Sequence, residues 1–105
     1  MQVNLEKIER ADSLISKFLG LMGRRGFGKS EGLILSKTNS IHTFFVFFPI
    51  DVVFLDREMR VLKLVENMRP FWVSPIIWQA AYVLELPIGT ISSKPIRVDD
   101  QVNLL

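Results

Sequence analysis

The sequence lacks cysteine altogether and contains one histidine, His42, among its 105 residues. Without cysteine, the chain cannot form disulfide bonds, thiolate metal sites or cysteine nucleophiles. A single histidine also excludes a multi-histidine metal centre within one chain. Ser40 and Thr43 are ordinary turn and strand residues, and neither is a convincing nucleophile. We therefore predict no catalytic residue, no metal site and no cofactor.

The sequence also lacks a large excess of charge of one sign and a long apolar run. The chain has 13 basic and 11 acidic residues, a net charge of +2, and it lacks the dense basic stripe that is typical of nucleic-acid-binding proteins. The most apolar stretch, Ile41–Leu55, is interrupted by Pro49 and Asp51 and is shorter than the roughly 20 residues that span a bilayer. Met1–Lys7 does not resemble a secretory signal. We expect a cytoplasmic protein that binds neither nucleic acid nor a membrane.

Apolar side chains are abundant, and at 49% of the residues they exclude an intrinsically disordered chain. The length allows one domain, residues 1–105. The polar residues Asp56–Glu58 predict a hairpin turn between two apolar runs. Short runs of β-branched, aromatic and alternating apolar residues predict the strands Val3–Arg10, Glu31–Leu35, Ile41–Phe48, Asp51–Leu55, Val61–Val65, Ala81–Leu86 and Gln101–Leu104.

One segment has helical rather than strand periodicity. Between Leu14 and Met22, apolar residues recur at three- and four-residue steps, behind Asp12 or Ser13 as the N-cap, and Gly23 ends the pattern. Together these elements predict a mainly β (α+β) protein. Its expected architecture is a small single-domain β-sandwich or barrel-like fold with one short helix near the N-terminus.

Residues Gly23–Ser30 match the phosphate-binding pattern G-x-x-x-x-G-K-S in full. A true P-loop needs a strand before the motif and a helix after it. Here the preceding residues have helical periodicity, and the following residues, Gly32–Leu35, favour a strand. Phosphate binding at this loop is therefore only a minor alternative.

Three polar residues, His42, Asp51 and Glu85, lie within apolar strand predictions and are the best candidates for chemistry. If they converge with Arg24, they would line a pocket for a small ligand. Each also has a structural interpretation. Asp51 can accept backbone N–H bonds at a bulge, Glu85 can pair with Arg24 or Arg25, and His42 can be a hydrogen-bonded strand residue.

An aromatic segment, Pro70–Trp78, carries Phe71, Trp72 and Trp78 between prolines. These rings either cover the end of the β-fold as part of the core, the interpretation that we favour, or form a rigid apolar lip for a ligand or a partner. Apolar segments of this kind can contact a protein partner or a second copy of the chain. The predicted strand Ile41–Phe48 has large apolar groups on both alternating faces. We expect it to be covered on both sides or to lie at an oligomer contact.

Three segments in this order resemble one known family. They are Gly20–Arg24, Ser40–Asp56 and Leu84–Thr90, and the resemblance extends over about residues 3–104. Together they resemble the prokaryotic family called domain of unknown function 192. This resemblance implies a small β-dominated domain without an agreed biochemical activity.

Two functions stay open at this point. The preferred one is a non-catalytic binding or interaction domain whose partner docks on the aromatic segment. The alternative is a small-ligand-binding protein or enzyme with a pocket around Arg24, His42, Asp51 and Glu85.

Overall fold

The computed structural model describes residues 1–13, 21, 23–24, 26–44 and 46–105. Within these residues the chain forms seven strands and one short helix, α1 (Thr90–Ser93). The strands are β1 (Gln2–Leu5), β2 (Ile8–Ala11), β3 (Gly32–Ser36), β4 (Ile50–Leu55), β5 (Val61–Met68), β6 (Tyr82–Pro87) and β7 (Gln101–Leu104).

The strands form two sheets. Five of them make a mixed sheet in the order β2-β3-β6-β4-β5, in which β2 and β3 are parallel and the other neighbours are antiparallel. The remaining two, β1 and β7, pair in parallel. The mainly β prediction is confirmed, and the chain folds as one domain.

Both faces of the large sheet are covered, which explains why every residue of β4 is buried. The face that we call the helix face packs against β1, β7 and α1, whose Ile91 joins its core. The opposite face, here called the loop face, is covered by irregular segments that supply Leu21, Phe27, Ile41 and Val46. Burying a large apolar side chain fully contributes about 1.5–3 kcal/mol, so these two cores hold the sheet between them.

The N-terminal prediction needs one correction. The predicted strand Val3–Arg10 is two strands, because Lys7 adopts a left-handed conformation (φ 55°) and the chain passes from the small sheet to the large one. The predicted hairpin is confirmed. The carboxylate of Asp56 accepts the backbone N–H groups of Glu58 and Arg60, both at 2.9 Å, and so shapes the turn between β4 and β5.

The prediction of a strand over Ile41–Phe48 is wrong. Among the described residues of this run, only His42 forms a bridge, antiparallel to Val73, and Phe47 is 62% exposed. The physical reason is that Thr43 binds the backbone that follows β5, so the chain crosses the loop face as irregular backbone.

The predicted helix over residues 14–22 falls mainly on positions 14–20 and 22, which lie outside the described residues. The described helix, α1, comes instead late in the chain. No helix in the described part of the chain is both long and apolar enough to cross a membrane.

We predict that Gly32→Ala destabilises the sheet. A Cβ at Gly32 would lie 2.7 Å from Cδ2 of Leu86 and 3.0 Å from the backbone oxygen of Glu85, and the latter cannot move without distorting β6. Overpacking of this kind costs about 1–3 kcal/mol in the free energy of unfolding, which urea denaturation measures. Gly26→Ala is the matched control, since a Cβ there meets no atom within 4 Å. Equal stability of the two variants would contradict this packing.

Candidate functional site

Much of the predicted aromatic segment lies on the surface rather than in the core. Phe71 and Trp72 are each 54% exposed, and Trp78 is 77% exposed. The preferred interpretation of these rings as core cover is therefore wrong. The irregular backbone around them buries Ser74 and turns the large rings outward.

Four exposed rings lie on two segments that hydrogen bonds join to each other. The rings of Phe47 and Phe71 meet edge to face, with centroids 6.2 Å apart and an interplanar angle of 67°. Nearby, His42 stacks on the ring of Phe44 at 5.1 Å. We call this surface the aromatic platform, and it consists of Phe44, Phe47, Phe71 and Trp72.

A buried threonine fixes the two segments of the aromatic platform to each other. The hydroxyl of Thr43 accepts the backbone N–H of Trp72 at 2.7 Å and donates to the backbone oxygen of Arg69 at 2.6 Å. Its backbone N–H donates to the oxygen of Trp72, and its backbone oxygen accepts the N–H of Phe71. The Arg69 guanidinium in turn lies 5.8 Å from the centroid of the Trp72 ring. The platform is therefore held by hydrogen bonds and a cation–π contact.

Trp78 lies away from this platform. The platform segment follows Met68, which pairs with Ile50 at the start of β4. Trp78 instead precedes Ala81, whose N–H donates to the oxygen of Leu55 at the end of β4. The two exposed tryptophans therefore lie near opposite ends of β4.

Asp51 is buried on the helix face and is fully engaged by backbone. Its Oδ1 accepts the N–H of Asn67 at 2.9 Å, and its Oδ2 accepts the N–H of Ile91 at 3.0 Å. The register between β4 and β5 shifts between Ile50 and Val52, and Asn67 opposite this shift has a left-handed φ of 53°. Asp51 thus fixes the bulge and ties helix α1 to the sheet, which agrees with its structural interpretation.

Glu85 is buried on the loop face, in one row across the sheet with Glu9 and Leu33. Arg24 binds the Glu9 carboxylate through both terminal nitrogens, at 2.9 and 3.1 Å, which lowers the pKa of Glu9 and raises that of Arg24. Burial raises the pKa of Glu85 from its ordinary 4.5 to about 8, and the Arg24 charge opposes this shift. Glu85 is therefore largely protonated at neutral pH.

The structure does not bring the four predicted pocket residues together. Asp51 pairs with Leu86 and Glu85 pairs with Val52, so the two carboxyl groups point to opposite faces of the sheet. His42 is exposed beside the aromatic platform, and Arg24 is paired with Glu9. Their ligand-binding roles stay predictions. In the described part of the chain, no three histidine or acidic side chains are grouped as a metal site would require.

The loop that matches the P-loop pattern has a different structural context. It leads into strand β3 rather than into a helix, and the hydroxyl of Ser30 donates to the backbone oxygen of Phe27 at 2.6 Å. That hydroxyl is used to close a turn, and Lys29 is exposed to solvent.

Sequence reasoning missed Thr43, Phe44 and Phe47. All three fall in the run that strand propensity assigned to a covered strand. A buried threonine that binds a distant backbone leaves no signal in a single sequence, because its partners lie 26 to 29 residues away.

The sequence is similar to proteins without an assigned activity. The profile of the domain of unknown function 192 family (DUF192, Uncharacterized ACR) matches residues 2–104. A UPF0127 protein of Pyrococcus abyssi is 33% identical over 99 residues, which cover 91% of this chain and 84% of that protein. A UPF0127 protein of Thermococcus sibiricus is 32% identical over 101 residues, which cover 92% of this chain but only 65% of that longer protein.

Two solved structures share the fold. A protein of unknown function from Novosphingobium aromaticivorans has a TM-score of 0.77 at 23% identity, over 88% of this chain and 70% of that chain. A Sinorhizobium meliloti protein proposed to be a transcription regulator has a TM-score of 0.74 at 24% identity, over 88% of this chain and 76% of that chain. At these identities the likeness establishes the fold alone.

We predict that Asp51→Asn destabilises the protein by about 2–4 kcal/mol, because an amide offers one acceptor oxygen where two backbone N–H groups need one each. The free energy of unfolding from urea titration measures this loss. The control is Asp12→Asn, whose side chain is 62% exposed and whose effect should stay within about 0.5 kcal/mol. If Asp51→Asn matched the control, Asp51 would not hold the bulge and the helix.

Glu85 should make the stability depend on pH. Below pH 4.5 its carboxyl is protonated in both states, whereas between pH 4.5 and about 8 only the unfolded chain ionises. Stability should therefore fall as pH rises through this window, by up to about 1.4 kcal/mol per pH unit. Glu85→Gln, which stays neutral, should remove that slope and be more stable than the unsubstituted protein at pH 7.

Urea titrations at several pH values test this, with the exposed Glu66→Gln as the control that should keep the original slope. Parallel pH profiles for the unsubstituted protein and Glu85→Gln would show that Glu85 ionises freely in the folded state.

Proposed function

Because the chain belongs to the domain of unknown function 192 family, which has no assigned activity, we propose a function from the surface of the protein. We propose that it is a non-catalytic binding domain, and that another polypeptide binds to it on the aromatic platform. The observation that carries this proposal is the exposure of four large rings on backbone that is fixed by buried hydrogen bonds. Groups of exposed large apolar side chains often mark places on a protein surface where something binds.

The chemistry of the aromatic platform suits a protein interface. Tryptophan and arginine are among the side chains that dominate the binding energy of such interfaces, and here Arg69 lies against Trp72. The rings supply apolar area, and the Arg69 guanidinium can donate hydrogen bonds to a carboxylate of the partner at the rim. The partner expected from this chemistry presents apolar side chains next to an acidic group.

The platform is also organised before binding. Thr43 binds the backbone of Arg69, Phe71 and Trp72 through hydrogen bonds. The backbone that carries the rings of Phe71 and Trp72 therefore loses little conformational freedom when a partner binds. Lower ordering cost leaves more of the interaction energy as affinity. The separation of the four predicted pocket residues also supports a binding function over an enzymatic one.

Photo-crosslinking in the cells that express this chain tests the proposal. A benzophenone amino acid at position 72 should give one discrete adduct with another polypeptide, and the added substitution Phe47→Ser should abolish it. The same probe at position 98, which carries an equally exposed Val98 in a turn before β7, is the control and should not give that adduct.

The crosslinked partner, once purified, should bind the unsubstituted protein and should lose about 2 kcal/mol, roughly thirtyfold in affinity, with Phe71→Ser. The matched variant Val98→Ser should bind normally. No discrete adduct at position 72, or identical adducts at positions 72 and 98, would contradict docking on the platform.

A further inference from the structure

A second surface feature lies at the other end of the large sheet from the aromatic platform. Strands β3 and β4 are both antiparallel to β6, which lies between them, so their C-terminal ends flank the start of β6. Lys37 directly follows β3, Arg57 follows β4 by two residues, and Trp78 lies in the turn before β6. The topology therefore places the exposed indole of Trp78 between two cations, Lys37 on one side and Arg57 on the other.

These three side chains line one groove of about 600 Å³, together with Gln79 and Tyr82. This volume lies within the range of about 300–1,000 Å³ that small-molecule sites occupy. A polar cavity of about 290 Å³, lined by Thr38, Asn39 and Ser40, shares Lys37 with the groove and extends it. The combined space accommodates a ligand larger than a simple ion.

The charges of the groove are all of one sign. Within the described residues, neither Lys37 nor Arg57 forms an ion pair, and no acidic side chain lines the groove. Arg57 has two acidic neighbours in the sequence: Asp56 uses Oδ1 to cap the β4–β5 turn, and Glu58 does not line the groove. The positive charge is therefore available to a ligand.

Trp78 supplies the other half of the recognition. Its indole is 77% exposed at the tip of a tight turn closed by the N–H of Ala80, which donates to the oxygen of Ile77 at 2.8 Å. A flat ring that stacks on such an indole gains about 1–3 kcal/mol. An exposed indole beside unpaired cations is matched by a ligand that combines a flat ring with an anionic group.

We propose that this groove binds a small anionic ligand that carries a flat ring, of the class of nucleoside monophosphates. The ring stacks on Trp78, and the phosphate lies between Lys37 and Arg57. The hydroxyl and amide groups of Thr38, Asn39 and Ser40 are the groups available to a sugar. This site shares no residue with the aromatic platform. The outcome of its test is therefore independent of whether a polypeptide binds to the platform.

Fluorescence titration tests the proposal directly. In a Trp72→Phe background, Trp78 is the sole tryptophan, and adenosine 5′-monophosphate should quench its emission saturably when indole is excited at the red edge of its absorption. Adenosine has the ring without the phosphate, and inorganic phosphate has the charge without the ring. Each should bind about tenfold or more weakly, and the affinity for the monophosphate should fall with added salt.

Charge variants assign the binding to the groove. Arg57→Ala and Lys37→Asn should each weaken the monophosphate about tenfold, with asparagine chosen because Lys37 has a left-handed φ of 50° that it tolerates. Lys63→Ala, which removes an exposed cation of β5 outside the groove, is the matched control and should bind normally. Circular dichroism of each variant verifies that the fold is intact.

Three results would overturn the proposal. The first is no saturable quenching by the monophosphate up to roughly 10 mM, well beyond the affinity that stacking and two charges supply. The second is adenosine or phosphate binding as tightly as the monophosphate, which would remove the need for one half of the site. The third is equal weakening by Lys63→Ala and by the two groove variants, which would indicate diffuse attraction to a basic surface.

Discussion

Burial of the central strands on both sides is the constraint on which the rest of this structure depends. Strand β4 has no exposed residue and its neighbour β6 has four buried ones in succession, so each face of the sheet needs its own cover. The small parallel sheet and helix α1 cover one face with regular structure. Irregular segments cover the other face, the loop face. The course of these segments determines which side chains are exposed there.

The same double burial takes two carboxyl groups out of water, and the protein accommodates them in different ways. Each carboxyl oxygen of Asp51 accepts one backbone N–H group, and these two hydrogen bonds join the bulge in β5 to helix α1. Burial raises the pKa of Glu85 to about 8, so its carboxyl is largely protonated at neutral pH. One carboxyl is stabilised by donors, whereas the other is stabilised by holding its proton.

Irregular cover also explains why large rings reach the surface. A regular strand over Ile41–Phe48 would alternate its side chains between two buried faces, but Thr43 instead binds the backbone of residues 69–72. That crossing fills the core with Ile41 and Val46 and leaves the aromatic platform outside. At the far end of β4, the turns that connect the sheet project Lys37, Arg57 and Trp78 around one groove. The two surfaces that we propose for binding thus lie at the two ends of the same buried strand.

The sequence by itself determined the mainly β architecture, the β4–β5 hairpin and the strands near Gly32, Tyr82 and Gln101. These elements follow from local periodicity and turn chemistry, which act over a few residues. It also indicated that Glu85 shares a face with Val83, since alternation along a strand is local.

Only the tertiary structure decided that Asp51 and Glu85 lie on opposite faces, that Arg24 pairs with Glu9, and that the aromatic rings point outward. It alone gathered Lys37, Arg57 and Trp78, which are widely separated in the chain. Strand order, register and crossings between loops set these relations. They depend on contacts between distant residues, and composition and periodicity carry no information about such contacts.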